Sequence, residues 1–253
     1  MAMPDAAALA GPLRHAALMQ LASGTLPIGG FSYSQGLEAA INEGWVRDEA
    51  ALLRWVQFAL TELLPQADAA VWRLLYRAAQ GRGAAPQPDP GALAHWDAWL
   101  RCSRESAELR QESRQMGWSL VQWALALPWP QTDARAAPLL AWLRTRAGEP
   151  GGCSYVAAHA VVAVLSGLSE DEGLSALLYA GLEGQVMAGV KAIPLGQQAG
   201  QRVLRAAHTA LAQGHVRSRA LADADPPALN TWAPQWAMLS SRHETQFSRL
   251  FRS

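Results

Sequence analysis

The sequence predicts an all-α protein, a single-domain helical bundle of about ten helices. Three observations carry that expectation. Apolar residues recur at three- and four-residue spacing in one segment after another. No segment shows the apolar/polar alternation, bounded by turn residues, that marks a strand. Breaks rich in proline and glycine divide the helical pattern into pieces joined mostly by short loops.

Residues 1–12, rich in Ala, Pro and Gly, are expected to be disordered, 13–234 to form the bundle, and 235–253 to form a helical tail that orders on binding a partner. A short helix is expected from about Arg14 to Ala22. The loop Thr25–Gly30 follows, where Pro27 fixes φ and Gly29 and Gly30 open conformations closed to other residues. Ser32 with Gln35 matches the S/T-x-x-E/Q capping box, so a helix is expected to start there, run through Leu37 and Ile41, and stop at Gly44. Trp45 is placed to fold back on Ala40. Gly36, in the first turn of that helix, costs about 0.5–1 kcal/mol relative to alanine. It implies close approach by another helix or by a partner protein.

Asp48 is a suitable N-cap for a helix with Leu52, Leu53, Val56, Ala59, Leu60 and Leu63 on its apolar face. Pro65 separates it from Asp68–Gln80, with Val71, Leu74, Leu75 and Ala78 inward. Gly81–Gly91 has the composition of a flexible connection. Ala92–Leu127 reads as two helices or one long one. Its charges between Arg101 and Arg114 read as a solvated face, with Arg101–Glu105 and Arg104–Glu108 paired at i, i+4. Pro128–Pro138 breaks the pattern, Leu139–Ala147 is a further short helix, and Gly148–Gly152 is a turn.

Cys153–Leu168 is apolar nearly all round, as a central buried helix must be, and His159 within it reads as a core residue rather than a ligand. Ser169 with Glu172 is a second capping box, opening a helix to about Ile193. Ala180, Gly184, Ala188 and Ala192, with Gly181 and Gly189 beside them, form a stripe on which another helix can pack closely. Pro194 stops this helix, Leu195–Gln213 starts the next, and Asp223–Pro234 is a loop. The tryptophans fall mostly on apolar faces, so core packing accounts for them first.

With 50% hydrophobic and 17% charged residues, against roughly 45–50% and 25% in typical domains, part of the surface is expected to be apolar and reserved for partners. The 21 basic and 21 acidic residues balance, which argues against nucleic acid or an anionic membrane as partner. Cys102 and Cys153 lie far apart and outside any C-x-x-C spacing, which fits a reducing compartment. No basic stretch followed by an apolar core opens the sequence, so a cytoplasmic location is expected.

Searches for catalytic patterns return little. There is no P-loop, and His243-Glu244-Thr245-Gln246 lacks the second histidine of H-E-x-x-H. His208 and His215 are seven apart without an evident third ligand. No catalytic residue, metal site or cofactor is assigned. Lys191 has two readings: a helix-end cation favoured by the macrodipole, or a charge aimed at a partner or at Glu38.

The run Leu26–Glu38, LPIGGFSYSQGLE, resembles the signature Leu-Pro-x-Gly-x-Phe-Ser-Tyr-Ser-x-Gly-Leu-Glu of the urease accessory protein F (UreF) family. Val190–Gln197 is similar to its Val-Lys-x-x-Pro-Leu-Gly-Gln run. Glu108-Leu109-Arg110-x-Glu112 with Met116-Gly117 resembles its central charged helix, and His243–Ser253 its final segment. Gly30 departs mildly, since alanine is common there. The resemblance spans about residue 20 to the last residue.

It implies an all-helical, dimer-forming cytoplasmic accessory protein without chemistry of its own. Such a protein bridges a scaffold subunit (UreD, also called UreH) and a GTP-hydrolysing nickel chaperone (UreG), and the complex delivers nickel to apo-urease. Nickel and GTP belong to the partners. Ser32, Tyr33, Ser34, Gln35 and Glu38, with Lys191, Pro194, Gly196 and Gln197, are then expected to form one patch facing the GTPase. The tail with Arg249, Phe251 and Arg252 is expected to fold on docking to the scaffold. The alternatives are a regulator that activates or gates the GTPase, a stand-alone enzyme using Glu38 and Lys191 as acid and base, and a nickel carrier.

Overall fold

In the computed structural model, which describes residues 6–81, 83, 86–130 and 133–253, every regular element is helical and no strand occurs among those residues. The α-helices are α1 (Ala6–Ala22), α2 (Leu37–Asn42), α3 (Glu49–Phe58), α4 (Asp68–Gln80), α5 (Pro90–Cys102), α6 (Ala107–Ala126), α7 (Ala136–Gly148), α8 (Tyr155–Leu165), α9 (Glu170–Ala192), α10 (Gln197–Ala206), α11 (His208–Asp223) and α12 (Pro234–His243). The bundle expected from the sequence is therefore present.

Helices α4, α5, α6, α7 and α9 pack against α8. Its sequence offers no polar side apart from His159, and every residue from Val156 to Leu165 is buried. Ser154 caps it by accepting from the Ala157 N–H, and the Asp97 carboxylate holds the Ser154 N–H at 2.9 Å. α4 and α6 lie against α8. On α6, Gly117 permits this approach, because a Cβ there would land on the Cys153 carbonyl oxygen. From α4, Trp72 donates its indole N–H to His159 Nδ1 at 3.2 Å. His159 is thus a core residue, and burial lowers its pKa to about 3.

α9 forms the second layer, with its capping box formed as expected from Ser169 and Glu172. Its small residues do separate things. Gly173 abuts Trp72 and Gly189 abuts Leu52 of α3, whereas Gly181 and Gly184 face open space. α11 is fastened to α4 and α9 by Arg73, a fully buried guanidinium. It reaches Glu170 at 2.5 Å, Asp171 at 3.1 Å and Ser218 Oγ at 3.1 Å.

Several expectations need correction. Helix α1 begins at Ala6, so residues 6–12 are helical rather than disordered; residues 1–5, like parts of the 81–91 and 128–138 connections, lie outside the described residues. The region 92–127 is two helices, and its charges are not simply a solvated face. Arg101 pairs with Asp97 and Arg104 with Asp68, while Glu112 and Ser113 are buried. The helix expected over 195–213 is divided at Ala207. Gly200 packs α10 on Val190 and Val186 of α9, whereas Gly214 packs α11 against the Leu60 carbonyl, and one straight rod could not meet both neighbours.

Candidate functional site

The signature run folds differently from the capping-box expectation. A 3-10 turn, Gly30–Ser32, is followed by extended Tyr33 and then by two left-handed residues, Gln35 (φ 52°) and Gly36 (φ 85°). Helix α2 starts only at Leu37. Gly36 is required for its positive φ, and α12 supplies the close neighbour, with Ser240 and Leu239 against it. The Ser32/Gln35 box does not form because the Gln35 amide turns inward to Glu112 Oε1 at 2.6 Å. The hydroxyl that serves α2 is that of Ser34, which accepts from the Glu38 N–H at 3.3 Å. Gly44 and Trp45 end α2 as expected, the Trp45 N–H returning to the Ala40 carbonyl.

The tail, expected to order on binding a partner, is packed here on the signature loop of its own chain. Phe251 and Ser253 are buried, the Arg252 N–H donates to the Ser32 carbonyl at 2.8 Å, and the Ser34 N–H donates to the Ser253 carbonyl at 2.7 Å. Glu38, expected on a partner-facing patch, is 6% exposed. All its acceptor capacity is spent on the tail and α12. Oε1 takes the Leu250 N–H at 2.7 Å and the Gln246 amide at 3.3 Å; Oε2 takes the Phe251 N–H at 2.9 Å and His243 Nε2 at 3.1 Å. Glu38 is therefore the anchor of the tail, a role sequence reasoning missed. The signal was an acidic residue on the inner face of a short apolar helix.

A second buried chain of hydrogen bonds runs inward. Ser253 Oγ and the Gln35 amide both donate to Glu112, whose carboxyl is pushed above the ordinary range by burial, with those two bonds opposing. Gln185 of α9 donates to the Ser34 carbonyl at 2.8 Å and accepts from the Trp55 indole at 2.9 Å. Trp55 stacks on Trp236 of α12, ring centroids 3.9 Å apart. Beside this chain lies a cavity of about 180 Å³, walled by Leu60, Met116, Leu177, Leu182 and Trp236, with Glu112 on its polar side.

Of the expected site residues, Tyr33 and Ser34 are buried, Ser32 and Gln35 are half-buried, and Arg249 and Arg252 are exposed. Burial raises the Tyr33 hydroxyl pKa, with Arg252 opposing. Lys191, Pro194, Gly196 and Gln197 are exposed at the α9–α10 turn. Lys191 has no salt bridge among the described residues, and the oxygens of Glu38 are filled by other donors. The structure therefore does not join the two motifs into one charged patch.

The junction of signature loop and tail presents three large apolar side chains to solvent, along with the exposed Arg249 and Arg252. Phe31 is 68%, Leu250 61% and Phe247 105% exposed. Phe31 and Leu250 are chain neighbours, or near neighbours, of the hydrogen-bonded pair Ser32 and Arg252. Large apolar side chains held in solvent by an ordered backbone are a feature of contact surfaces.

Among the described residues, one arrangement that looks catalytic is Ser175–His215–Asp171. Ser175 Oγ lies 3.1 Å from His215 Nε2, and Asp171 lies 3.8 Å from Nδ1. Arg73, however, sits 3.3 Å from the same Nδ1. A guanidinium only donates, so Nδ1 must accept and the ring proton is on Nε2, where it cannot take one from Ser175. The Cys153 thiol is buried and its pKa is pushed well up, so it is no nucleophile. Among the described residues no group of three or more His, Cys, Asp and Glu, with His208 and His215 or without them, is arranged to hold a metal ion. Among the same residues no helix is long and apolar enough to cross a membrane.

Comparison with known proteins places the chain. The UreF family model matches residues 46–208. The urease accessory protein UreF of Bordetella bronchiseptica is 46% identical over 235 residues, covering 93% of this chain and 100% of that one. That of Delftia acidovorans is 44% identical over 237 residues, covering 94% and 96%. The chain is also 46% identical over 238 residues to the bifunctional urease accessory protein UreEF of Bordetella bronchiseptica, 94% of this chain but 52% of that longer protein.

Proposed function

The chain belongs to the UreF family of urease accessory proteins, and from that premise we propose that it is a docking subunit in urease maturation. It bridges the scaffold accessory protein (UreD/UreH) and the nickel-carrying GTPase (UreG) while nickel is inserted into apo-urease with GTP hydrolysis. The reading makes it a cytoplasmic homodimer that performs no catalysis and carries neither nucleotide nor metal of its own.

One observation carries it. Ser34 and Glu38 of the signature are bonded to the chain's own tail, and that junction turns outward the large apolar side chains Phe31, Phe247 and Leu250 with Arg249 and Arg252 among them. A surface built that way suits a protein partner rather than a small substrate. The α9–α10 turn, with Lys191 exposed and Pro194, Gly196 and Gln197 around it, is proposed as a second contact, toward the GTPase. The similarity to about half of a longer bifunctional urease accessory protein UreEF supports work alongside another accessory protein.

Co-purification tests the proposal. The tagged chain is incubated with scaffold protein and GTPase, with and without GTP. Retention of both, with loss of the GTPase in Lys191→Ala and of the scaffold in the double variant Phe31→Ala/Leu250→Ala, is the expected result. Retention of neither by the folded wild-type chain overturns it.

A further inference from the structure

His243 is completely buried at the end of α12, yet each ring nitrogen faces a carboxylate: Nε2 lies 3.1 Å from Glu38 of α2, and Nδ1 lies 2.6 Å from Glu108 of α6. Ionised carboxylate oxygens only accept hydrogen bonds, so with Glu38 and Glu108 both ionised both nitrogens carry hydrogen. A neutral imidazole has one N–H and could serve only one of them. We propose that His243 is held as an imidazolium and acts as a charged latch, fastening the tail segment 244–253 over the signature loop, and that losing one ring proton releases that segment.

The same two carboxylates hold the tail. Glu38 takes the Leu250 and Phe251 N–H groups, and Glu108 takes Arg249 at 2.7 Å. Glu38 and Glu108 are like charges brought to opposite sides of one ring, and the imidazolium is what allows both to stay ionised with no water between. The other charges nearby do not substitute for it. Arg242, on the same helix, is directed to Glu43; Glu244 caps the start of α6 through the Ala107 N–H; Arg249 reaches Glu108 from the solvent side. When the ring loses a proton, a lone pair faces a carboxylate across a buried contact, and the repulsion falls on the groups that anchor Leu250 and Phe251.

The latch needs the doubly protonated ring, so it holds the tail in that form and lets go when either ring N–H is lost. Release uncovers Glu38, the Glu112 carboxyl that Ser253 hydrogen-bonds, and the apolar slot of Phe251. The inference concerns this chain alone and stands or falls independently of the docking reading.

Nitrogen-15 NMR of the histidine rings in the full-length protein tests it, alongside amide hydrogen exchange at Leu250, Phe251 and Arg252. Two protonated ring nitrogens for His243 at neutral pH are expected. So is at least about tenfold faster exchange of the three amides, corrected for intrinsic rate, once the ring is deprotonated, the size of a charged hydrogen bond, while α8 stays protected. His243→Gln should show the fast exchange at every pH. One bare ring nitrogen at neutral pH in the wild-type protein overturns the proposal, as does wild-type tail protection in His243→Gln. Where that variant fails to fold, the wild-type ring spectrum decides alone.

Discussion

The backbone N–H of Ser34 donates to the carbonyl of Ser253 at 2.7 Å, joining residues 219 positions apart. This bond makes the signature loop and the tail one structure. Ser34 Oγ also donates to that carbonyl and accepts from the Glu38 N–H, so a single buried hydroxyl caps α2 and grips the tail. Ser34→Ala removes both roles. The expected cost is about 1–2 kcal/mol, read as a lower denaturation midpoint together with faster proteolysis within 244–253. A midpoint unchanged from wild type would count against this coupling.

Arg73 is the interior charge on which α11 depends. Its guanidinium meets Glu170, Asp171, Ser218 and the His215 carbonyl with no solvent exposure. Removing one partner of a buried pair typically costs about 3–5 kcal/mol. Part of that is spared here, because Arg77 and Arg219 still neutralise the two acids. Arg73→Ala is expected to lose about 3 kcal/mol in urea denaturation. A loss below about 1 kcal/mol would put the cluster in the surface class of ion pairs.

Gly117 and Gly184 separate a glycine needed for packing from one that is not. Gly117→Ala places its methyl on the Cys153 carbonyl, whereas Gly184→Ala meets nothing. The first is expected to cost at least about 1–3 kcal/mol through overpacking, and the second to be neutral or slightly stabilising through helix propensity. Equal thermal midpoints for the two would contradict the α6–α8 packing described.

His159 gives the bundle an acid-sensitive core. Burial holds its folded-state pKa at about 3, against the ordinary 6.5. The unfolded chain therefore binds the proton that the folded chain refuses. Stability is complete above about pH 6.5 and declines between about 6.5 and 3 by up to roughly 1.4 kcal/mol per unit from this group. His159→Gln should flatten that part of the pH profile of unfolding free energy. The same slope in the variant would assign the acid sensitivity to other groups.

The fold was legible where one local rule decided it. The α8 segment is apolar on all sides and had to be buried, Ser169 with Glu172 formed its capping box, and Gly44 ended α2 as a left-handed stop. What escaped were local patterns overridden by long-range partners. Ser32 and Gln35 have the residues of a capping box, but the Gln35 amide gains a buried carboxylate, which outweighs a solvent-exposed cap. Arg104 and Glu108 have the spacing of a helix pair, yet Asp68 and His243 claim them from other helices. At the candidate site, the motifs marked which residues matter but not which way they face. Glu38 and Phe251 point inward to hold the junction, and its outward face carries, besides Arg249 and Arg252, the apolar Phe31, Phe247 and Leu250, which sequence reasoning did not single out.

The junction of signature loop and tail is proposed as the docking surface for the scaffold. The most direct measurement is scaffold and GTPase capture by the Phe31→Ala/Leu250→Ala protein, its folding checked by helical circular dichroism. Both side chains are largely in solvent, so helical content should match the wild type. Capture of the scaffold should fall by at least about tenfold, the loss of one modest interface anchor. Wild-type capture of both partners by this double variant would contradict it.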